Sequence, residues 1–468
     1  ARKERAMPAK QSSLNIDLLK RFARPGPRYT SYPPAPAFHA EYDARRLEVD
    51  LILNNDENAK PLSLYIHIPF CDTLCYFCGC TTFITKDRSQ IRRYLNALKQ
   101  EIAKWAWYVK KERRVEQIHW GGGTPSYLEP DEIRELAGFV KELFHVAPDA
   151  EFSVEIDPRG LRFEHLEAFK ESGVNRLSLG VQDFDERVQR AVNRIQPESL
   201  TRDAMMWSRQ LGIDQINIDL IYGLPLQNVE TFGKTLQKIV ELAPNRIAVF
   251  NFAYVPWMKP HQKLLHPEDL PSPEMKLQLL HSTIETLGRA GYEYIGMDHF
   301  ARPDDELAIA QKAKTLHRNF QGYSTKAGAD LYGFGLSSIS HFGNVYAQNA
   351  KTLPLYLEAA ERGQFATKLG YRMSKDDEIR KFVIMRLMCD LEVDKGEVER
   401  RFGIMFDEYF DRSLDMLQEF INEGLVQQSL STIQVVGAGR YVLRNIALCF
   451  DAYTSTREQQ KPLYSQTV

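Results

Sequence analysis

From residue 62 to residue 252 the chain repeats one alternation, a short β-rich run followed by a longer segment with apolar residues at helical spacing. The runs are Leu62–Ile68, Gln117–Trp120, Phe152–Ile156, Arg176–Val181, Gln215–Ile221 and Arg246–Phe252. Helical-period segments such as Ile91–Tyr108, Pro130–Phe144 and Glu230–Leu242 lie between them. Strands joined through helices run parallel, because each helix carries the chain back to the edge where the last strand began. Six such units predict an α/β fold, either a doubly wound sheet or a partial (βα) barrel. Both folds gather their ligands at the carboxyl ends of the strands.

The pattern changes beyond about Leu353. Lys375–Cys389, Lys395–Phe402 and Tyr409–Glu423 read as helices, and Ile433–Val436 with Tyr441–Leu443 reads as a hairpin turning through Gly437 and Gly439. At the other end, PGPRYTSYPPAP (Pro25 to Pro36) cannot be helical and is expected as an extended arm. The expected organisation is an N-terminal arm or lid at 1–50, a barrel at 51–350 and a mostly helical C-terminal domain at 351–468. That division suits a chain of 468 residues. Lys and Arg number 60 against 62 Asp and Glu, so the helical domain has no basic excess to offer nucleic acid. No apolar run approaches a membrane span and no secretory signal is visible, so a cytoplasmic protein is expected.

Four of the six cysteines, Cys71, Cys75, Cys78 and Cys80, fall within ten residues. In a large chain without a signal peptide, such a cluster argues for reduced thiolates holding metal rather than for disulfides. The string HIPFCDTLCYFCGC follows the first strand directly. Three thiolates at C-x3-C-x2-C can serve three irons of a [4Fe–4S] cubane and leave the fourth iron open. The alternative is zinc, which usually takes a second cysteine pair far off in sequence, and none is found. Cys80 lies too close after Cys78 to turn back to the same cluster. Cys389 and Cys449 stand alone and are expected as buried core thiols.

The C-x3-C-x2-C loop after a first strand resembles the radical S-adenosylmethionine (SAM) superfamily. The fuller string with Cys80 is similar to the oxygen-independent coproporphyrinogen III oxidases (coproporphyrinogen dehydrogenases). GPRYTSYP (Gly26–Pro33), HWGGGTP (His119–Pro125), EIDPR (Glu155–Arg159) and GVQDF (Gly180–Phe184) continue the likeness. So do NIDLIYGLP (Asn217–Pro225), GMDHFARPDDELA (Gly296–Ala308), LHRNFQGY (Leu316–Tyr323) and RNIALCFDAY (Arg444–Tyr453).

The resemblance implies a partial (βα)6 TIM-like barrel with Cys71, Cys75 and Cys78 on one [4Fe–4S] cluster and SAM on the open iron. It also implies Gly121–Gly123 closing on the aminoacyl end of SAM. By the same likeness SAM contacts are Tyr65, Phe77, Gly122, Gly123, Thr124, Glu155, Gln182, Arg194, Asp219, Ala253 and Ile339. With two propionates to process, a second SAM is implied. Tyr65, Gly122, Glu155 and Ile339 are then expected nearer the cluster-bound SAM, and Phe77, Gly123, Thr124, Gln182, Arg194, Asp219 and Ala253 nearer the second.

The implied reaction is anaerobic. A 5′-deoxyadenosyl radical initiates oxidative decarboxylation of the ring A and B propionates of coproporphyrinogen III, giving the vinyl groups of protoporphyrinogen IX in haem biosynthesis. Arg28, Arg302, His317 and Arg318 are the candidates to meet the substrate's carboxylates. Phe320 and Gln321, with the arm bearing Arg28 and Tyr29, are expected to close the barrel mouth, and Cys80 to act in turnover without a cluster bond. The implied partners are a flavodoxin- or ferredoxin-like electron donor and an unidentified acceptor, with no nucleic acid or membrane, and the chain is expected as a monomer. Two competing readings are a haem-trafficking chaperone and a haem-degrading radical SAM enzyme. Cys80 and the GPRYTSYP arm speak against the first, RNFQGY and RNIALCFDAY against the second.

Overall fold

The structure, a computed structural model, describes residues 16–22, 24, 26–55, 59–326 and 328–454. The first fifteen residues and the tail from 455 to 468, parts of the expected arm and C-terminal domain, lie outside the described residues.

Twelve strands form the main sheet. In chain order they are β1 (Leu62–Ile68), β2 (Arg114–Gly122), β3 (His145–Ile156), β4 (Arg176–Gln182), β5 (Gln215–Tyr222), β6 (Arg246–Asn251), β7 (Glu293–Gly296), β8 (His299–Ala301), β9 (Asp330–Phe334), β10 (Ile339–Phe342), β11 (Val345–Asn349) and β12 (Thr367–Arg372). Their order is β12-β11-β10-β9-β1-β2-β3-β4-β5-β6-β8-β7. From β9 through β1 to β6 every pairing is parallel, so all six strands read from the sequence are present, with β9 as a seventh. Antiparallel strands extend both edges and leave the sheet unclosed, which is the partial barrel expected. The sheet also runs past residue 350, because β12 pairs with β11.

Strand β1 explains how the lumen is built. Leu62, Leu64, Ile66 and Ile68 are fully buried in the core, while Ser63, Tyr65 and His67 alternate onto the other face. On that face they meet polar partners; Ser63 bonds Gln117 of β2 at 2.9 Å. The run LSLYIHI therefore alternates, with apolar side chains on the core face and polar ones toward the lumen.

The RNIALCFDAY segment holds the arm. Arg444 donates through Nε to Pro27 O at 3.0 Å and through Nη2 to Gly26 O, and Asn445 Nδ2 donates to Phe22 O at 2.6 Å. Tyr29 OH donates to Asp451 at 2.9 Å, and Ala452 N–H donates to Tyr32 OH at 3.0 Å. An extended segment lacks its own backbone partners, and these side chains supply them. Motifs from opposite ends of the chain thus form one clasp.

The C-terminal helices lie at Lys375–Asp390, Lys395–Phe402 and Asp411–Asn422, close to expectation. The expected hairpin differs. Thr432–Val435 pairs with Val426–Gln428 on one side and Glu392–Asp394 on the other, while Tyr441 and Leu443 are helical. At Gly439 an added Cβ would fall 2.2 Å from Leu425 O, so this glycine serves close packing over Leu425 rather than a strand-to-strand turn.

A buried carboxyl ties the long helix α1 (Arg88–Ala106) to the loops after β9 and β11. Glu101 accepts from Gly335 N–H at 2.8 Å, Asn349 Nδ2 at 2.6 Å and Tyr356 OH at 2.7 Å. Burial pushes it up to about 7, against these hydrogen bonds. A carboxyl raised in the folded state stabilises fully below its unfolded value, and that contribution is lost as pH climbs through the folded value. The expected result is a loss of about 3 kcal/mol between pH 4.5 and 7 in urea titrations, absent in Glu101→Gln. Parallel pH profiles for the two proteins would disprove it.

Candidate active site

Two cavities of about 610 Å³ each open at the carboxyl ends of the barrel strands. The cysteine loop forms their shared roof. Its start is stitched to β1 and to the turn after β2, where Gly123 N–H donates to Ile68 O at 2.8 Å and Thr124 N–H to Phe70 O at 2.9 Å. Its middle is held by the turn after the helix Glu186–Ala191, where Asn193 Nδ2 donates to Leu74 O at 2.8 Å and Val192 O accepts from Tyr76 N–H at 3.0 Å. The glycines at the end of β2 permit this approach. A Cβ on Gly123 would meet Pro69 C at 2.7 Å, and one on Gly122, whose φ is +111°, would meet the His67 ring at 2.5 Å.

Cys71, Cys75 and Cys78 line the first cavity together with Phe77, Gly123, Thr124, Gln182, Arg194, Asp219 and Ala253. Arg159 Nη2 and Arg194 Nη1 point at Cys75 Sγ from 3.3 and 3.6 Å. Both guanidiniums are also tied to Asp157, at 2.7 and 2.9 Å, whose carboxyl they hold below its ordinary value against burial. Cys71 Sγ lies 3.3 Å from Thr124 Oγ1, and burial pushes its thiol up to about 12. Cys78 and Cys80 share a side-chain hydrogen bond, which lowers the Cys78 thiol and raises that of Cys80. Gln182 ends β4 with φ +69°, a left-handed conformation rare outside glycine and found at sites where position matters. Asp219 sits inside β5 rather than at its end. It accepts from Ser178 OH at 2.7 Å and Asn217 Nδ2 at 2.8 Å, and burial pushes it up to about 6.

Tyr65, His67, His119, Ile339, Phe320 and Gln321 line the second cavity. Gly122, Glu155, Cys80 and Lys259 belong to both. Glu155 accepts from Gly122 N–H at 3.1 Å and faces His119 Nε2 at 3.3 Å. Burial raises its carboxyl, but these donors outweigh that and leave it lowered. His67 Nε2 lies 2.9 Å from Thr81 O, which can only accept, so Nδ1 is the acceptor for Tyr65 OH at 3.0 Å. Tyr65 stacks on His119 with centroids 5.9 Å apart.

Of the residues expected to contact SAM, Phe77, Gly123, Thr124, Gln182, Arg194, Asp219 and Ala253 line the first cavity, Tyr65 and Ile339 the second, and Gly122 and Glu155 both. Their order relative to the thiols is the reverse of that expected, because the three cysteines line the cavity of Phe77, Gln182 and Ala253. Of the carboxylate candidates, Arg28 and Arg318 are neighbours, while Arg302 and His317 lie apart from them. Arg28 is ion-paired to Asp298 and lies over Phe250 at 5.4 Å, and burial lowers it to about 9. Arg318 Nε donates to Arg28 O at 3.3 Å. Arg302 pairs with Asp304 at 3.3 Å beside Asn245, at the opposite end of β6. His317, which burial lowers to about 4, has Arg386 and Lys60 as its charged neighbours. None of the four lines either cavity. Phe320 and Gln321 form a floor instead of a cap at the mouth, since Gln321 Oε1 accepts from Ser63 at the amino end of β1 at 3.3 Å. Gln321 Nε2 is buried there without a hydrogen-bond partner.

His67, His119, Asp157, Arg159 and Lys259 carry the site's polar architecture and were not singled out in the sequence. The first four lie within or beside quoted motifs, at inward positions of β1 and β2 or just after β3. Cys389 and Cys449 are buried, as expected. Among the described residues no three His, Cys, Asp or Glu side chains converge on one metal-ion position. Three thiols on one cavity wall, two guanidiniums facing one of them and a glycine cradle that no Cβ could enter suit an anionic iron–sulfur cluster with its SAM.

Known proteins agree with this arrangement. Residues 65–239 match the Radical SAM superfamily and residues 373–442 the HemN C-terminal domain. The oxygen-independent coproporphyrinogen III oxidase of Synechocystis sp. is 45% identical over 458 residues, spanning 97% of this chain and 98% of its own. Its counterpart in Escherichia coli is 43% identical over 447 residues, spanning 96% and 97%. The solved structure of the E. coli coproporphyrinogen III oxidase HemN, described as a radical SAM enzyme, superposes with a TM-score of 0.90 at 43% identity, over 95% of this chain and 100% of that one. By its fold, its cysteine loop and this full-length similarity, the chain belongs to the oxygen-independent coproporphyrinogen III oxidases of the radical SAM superfamily.

Proposed function

We propose that this chain converts the ring A and B propionates of coproporphyrinogen III to vinyl groups without oxygen, yielding protoporphyrinogen IX for haem synthesis. Each propionate loses CO2, a hydrogen atom and one electron. A [4Fe–4S] cluster on Cys71, Cys75 and Cys78, one iron free for SAM, supplies the reductive SAM cleavage that starts the reaction. Arg159 and Arg194 face Cys75 with positive charge, which suits an anionic group on the cysteine loop. Phe77, Gly123, Thr124, Gln182, Asp219 and Ala253 form the walls that orient the cluster-bound SAM. Tyr65 and Ile339, with the shared Gly122 and Glu155, hold a second SAM in the other cavity. Phe320 and Gln321 close its floor against water.

The observation that carries this reading is three thiols and a ring of strand-end polar groups lining one cavity. Anaerobic incubation with coproporphyrinogen III, SAM and a reductant tests it. Protoporphyrinogen IX and CO2 are expected, and tight haem binding without turnover would overturn it. Six free cysteines support a reducing cytoplasm. A flavodoxin- or ferredoxin-like protein supplies the electron, and a separate acceptor takes the one released.

Cys80 has a role of its own. It lines both cavities and its thiol hydrogen-bonds Cys78. Cys80→Ser is expected to keep iron and sulfide at wild-type content while turnover falls by about two orders of magnitude, as loss of a placed catalytic group does. Loss of iron in this variant would show Cys80 to be a ligand.

A further inference from the structure

The segment after β6 runs beside the cysteine loop in a regular register. Gln262 Nε2 donates to Phe77 O at 3.4 Å, His261 Nε2 to Cys78 O at 2.8 Å and Lys259 Nζ to Cys80 O at 3.2 Å. Each step back along one segment is a step forward along the other, so the two run antiparallel. The skipped pair is Pro260 opposite Gly79, neither of which has a side-chain donor. Three successive donors thus read the carbonyls of the turn that carries Cys78. The reading segment is itself rigid. Pro260–Leu264 is a 3-10 helix, and Gln262 is 1% exposed, accepting from Val255 N–H at 2.6 Å and donating to Ala253 O at 3.2 Å. Gln262 therefore ties the backbones of Phe77 and Ala253, both of which line the first cavity, through one side chain.

A turn bearing metal ligands has few backbone partners for its own carbonyls, so donors from another segment fix the peptide planes it leaves free. Without external donors the Phe77–Cys80 turn could rotate its peptide planes and swing Cys78 away from the cavity. We propose that Lys259, His261 and Gln262 form a positioning clasp that pre-sets the Phe77–Cys80 turn, and with it Cys78, for the iron–sulfur cluster. The proposal rests on the reading that this loop holds a cluster. None of the three residues is a ligand; each acts through a carbonyl of the loop. His261 and Lys259 also tie the loop to the wall between the two cavities, since Lys259 lines both.

The test uses the anaerobically prepared, cluster-loaded enzyme and follows iron release to a ferrous chelator. The reduced-cluster EPR spectrum is recorded with and without SAM. His261→Leu keeps the bulk and removes the donor, whereas His261→Gln keeps a donor at similar reach; Lys259→Met removes its donor and keeps the stem. Losing one such hydrogen bond is expected to speed iron release about fivefold in His261→Leu and Lys259→Met. The SAM-induced change in the EPR spectrum is expected to broaden in both. His261→Gln is expected to restore the wild-type rate and spectrum, which general destabilisation would not predict. Release within twofold of wild type in both donor-deleting variants overturns the clasp, as does equal acceleration by His261→Gln and His261→Leu. A wild-type protein that binds neither iron nor sulfide would instead refute the cluster reading, so the two failures are distinguishable. All three substitutions lie outside the buried Gln262 and leave the 3-10 helix its internal bonds.

Discussion

Cys75→Ser is expected to abolish the brown iron–sulfur absorbance and to reduce turnover at least a thousandfold. The thiol is 7% exposed and is the one toward which both Arg159 and Arg194 point. Serine is smaller, far less acidic and a hard oxygen ligand, whereas iron–sulfur clusters are held by thiolate. Its loss also leaves two guanidiniums, one of them 7% exposed, sharing Asp157 alone. A buried cation short of an anion is costly, so the empty loop should open rather than wait in place. Iron and sulfide analysis with the anaerobic vinyl assay measures both effects. An active variant with full iron content would remove Cys75 from the ligand set.

The second large effect is on stability. Asp330 starts β9 and is ion-paired to Arg113, which precedes β2; the side chains are 4% and 3% exposed. Arg113 also donates to Lys60 O at 2.6 Å, Asn55 Oδ1 at 3.0 Å and Tyr332 OH at 2.9 Å, while Asp330 accepts from Asn54 Nδ2 at 2.7 Å. This knot joins β9, β1 and β2 at their amino ends. Asp330→Ala strands the guanidinium in the interior, and breaking a buried pair from one side costs about 3–5 kcal/mol. The expected result is a marked fall in the urea midpoint. Cluster absorbance should be retained below that midpoint, because the cavity of the three cysteines lies at the opposite ends of the strands. A loss under about 1 kcal/mol would mean that water or a neighbour replaces the carboxylate.

Much of the barrel was legible because its signal is local. The β1 run Leu62–Ile68 has the same bounds in sequence and structure, four other strands differ by one to three residues at an end, and β3 begins seven residues before the expected Phe152. Each strand carries apolar residues on its core face, and the helices between them show a clear period. The strands added by antiparallel pairing were not legible. β7 to β12 are short, and what makes each a strand is the neighbour it meets far along the chain, as β10 meets β9 and β11. The C-terminal hairpin went astray for a related reason. Gly437 and Gly439 look like turn residues, yet Gly439 is required by Leu425, which the local pattern cannot show.

The site divides in the same way. C-x3-C-x2-C, Gly121–Gly123 and the strand-end polar residues are encoded within short stretches, so the chain alone determined the kind of metal group it can hold and which ends of the strands would surround it. Which cavity the thiols occupy, that Arg28, Arg302, His317 and Arg318 point elsewhere, and that Lys259, His261 and Gln262 grip the cysteine loop were decided only by tertiary structure. The physical reason is that a ligand's spacing is set by covalent geometry over a few residues. A cation's partner, or a carbonyl's donor, is set by which distant segments the curved, open sheet and its clasped ends bring within about 3 Å.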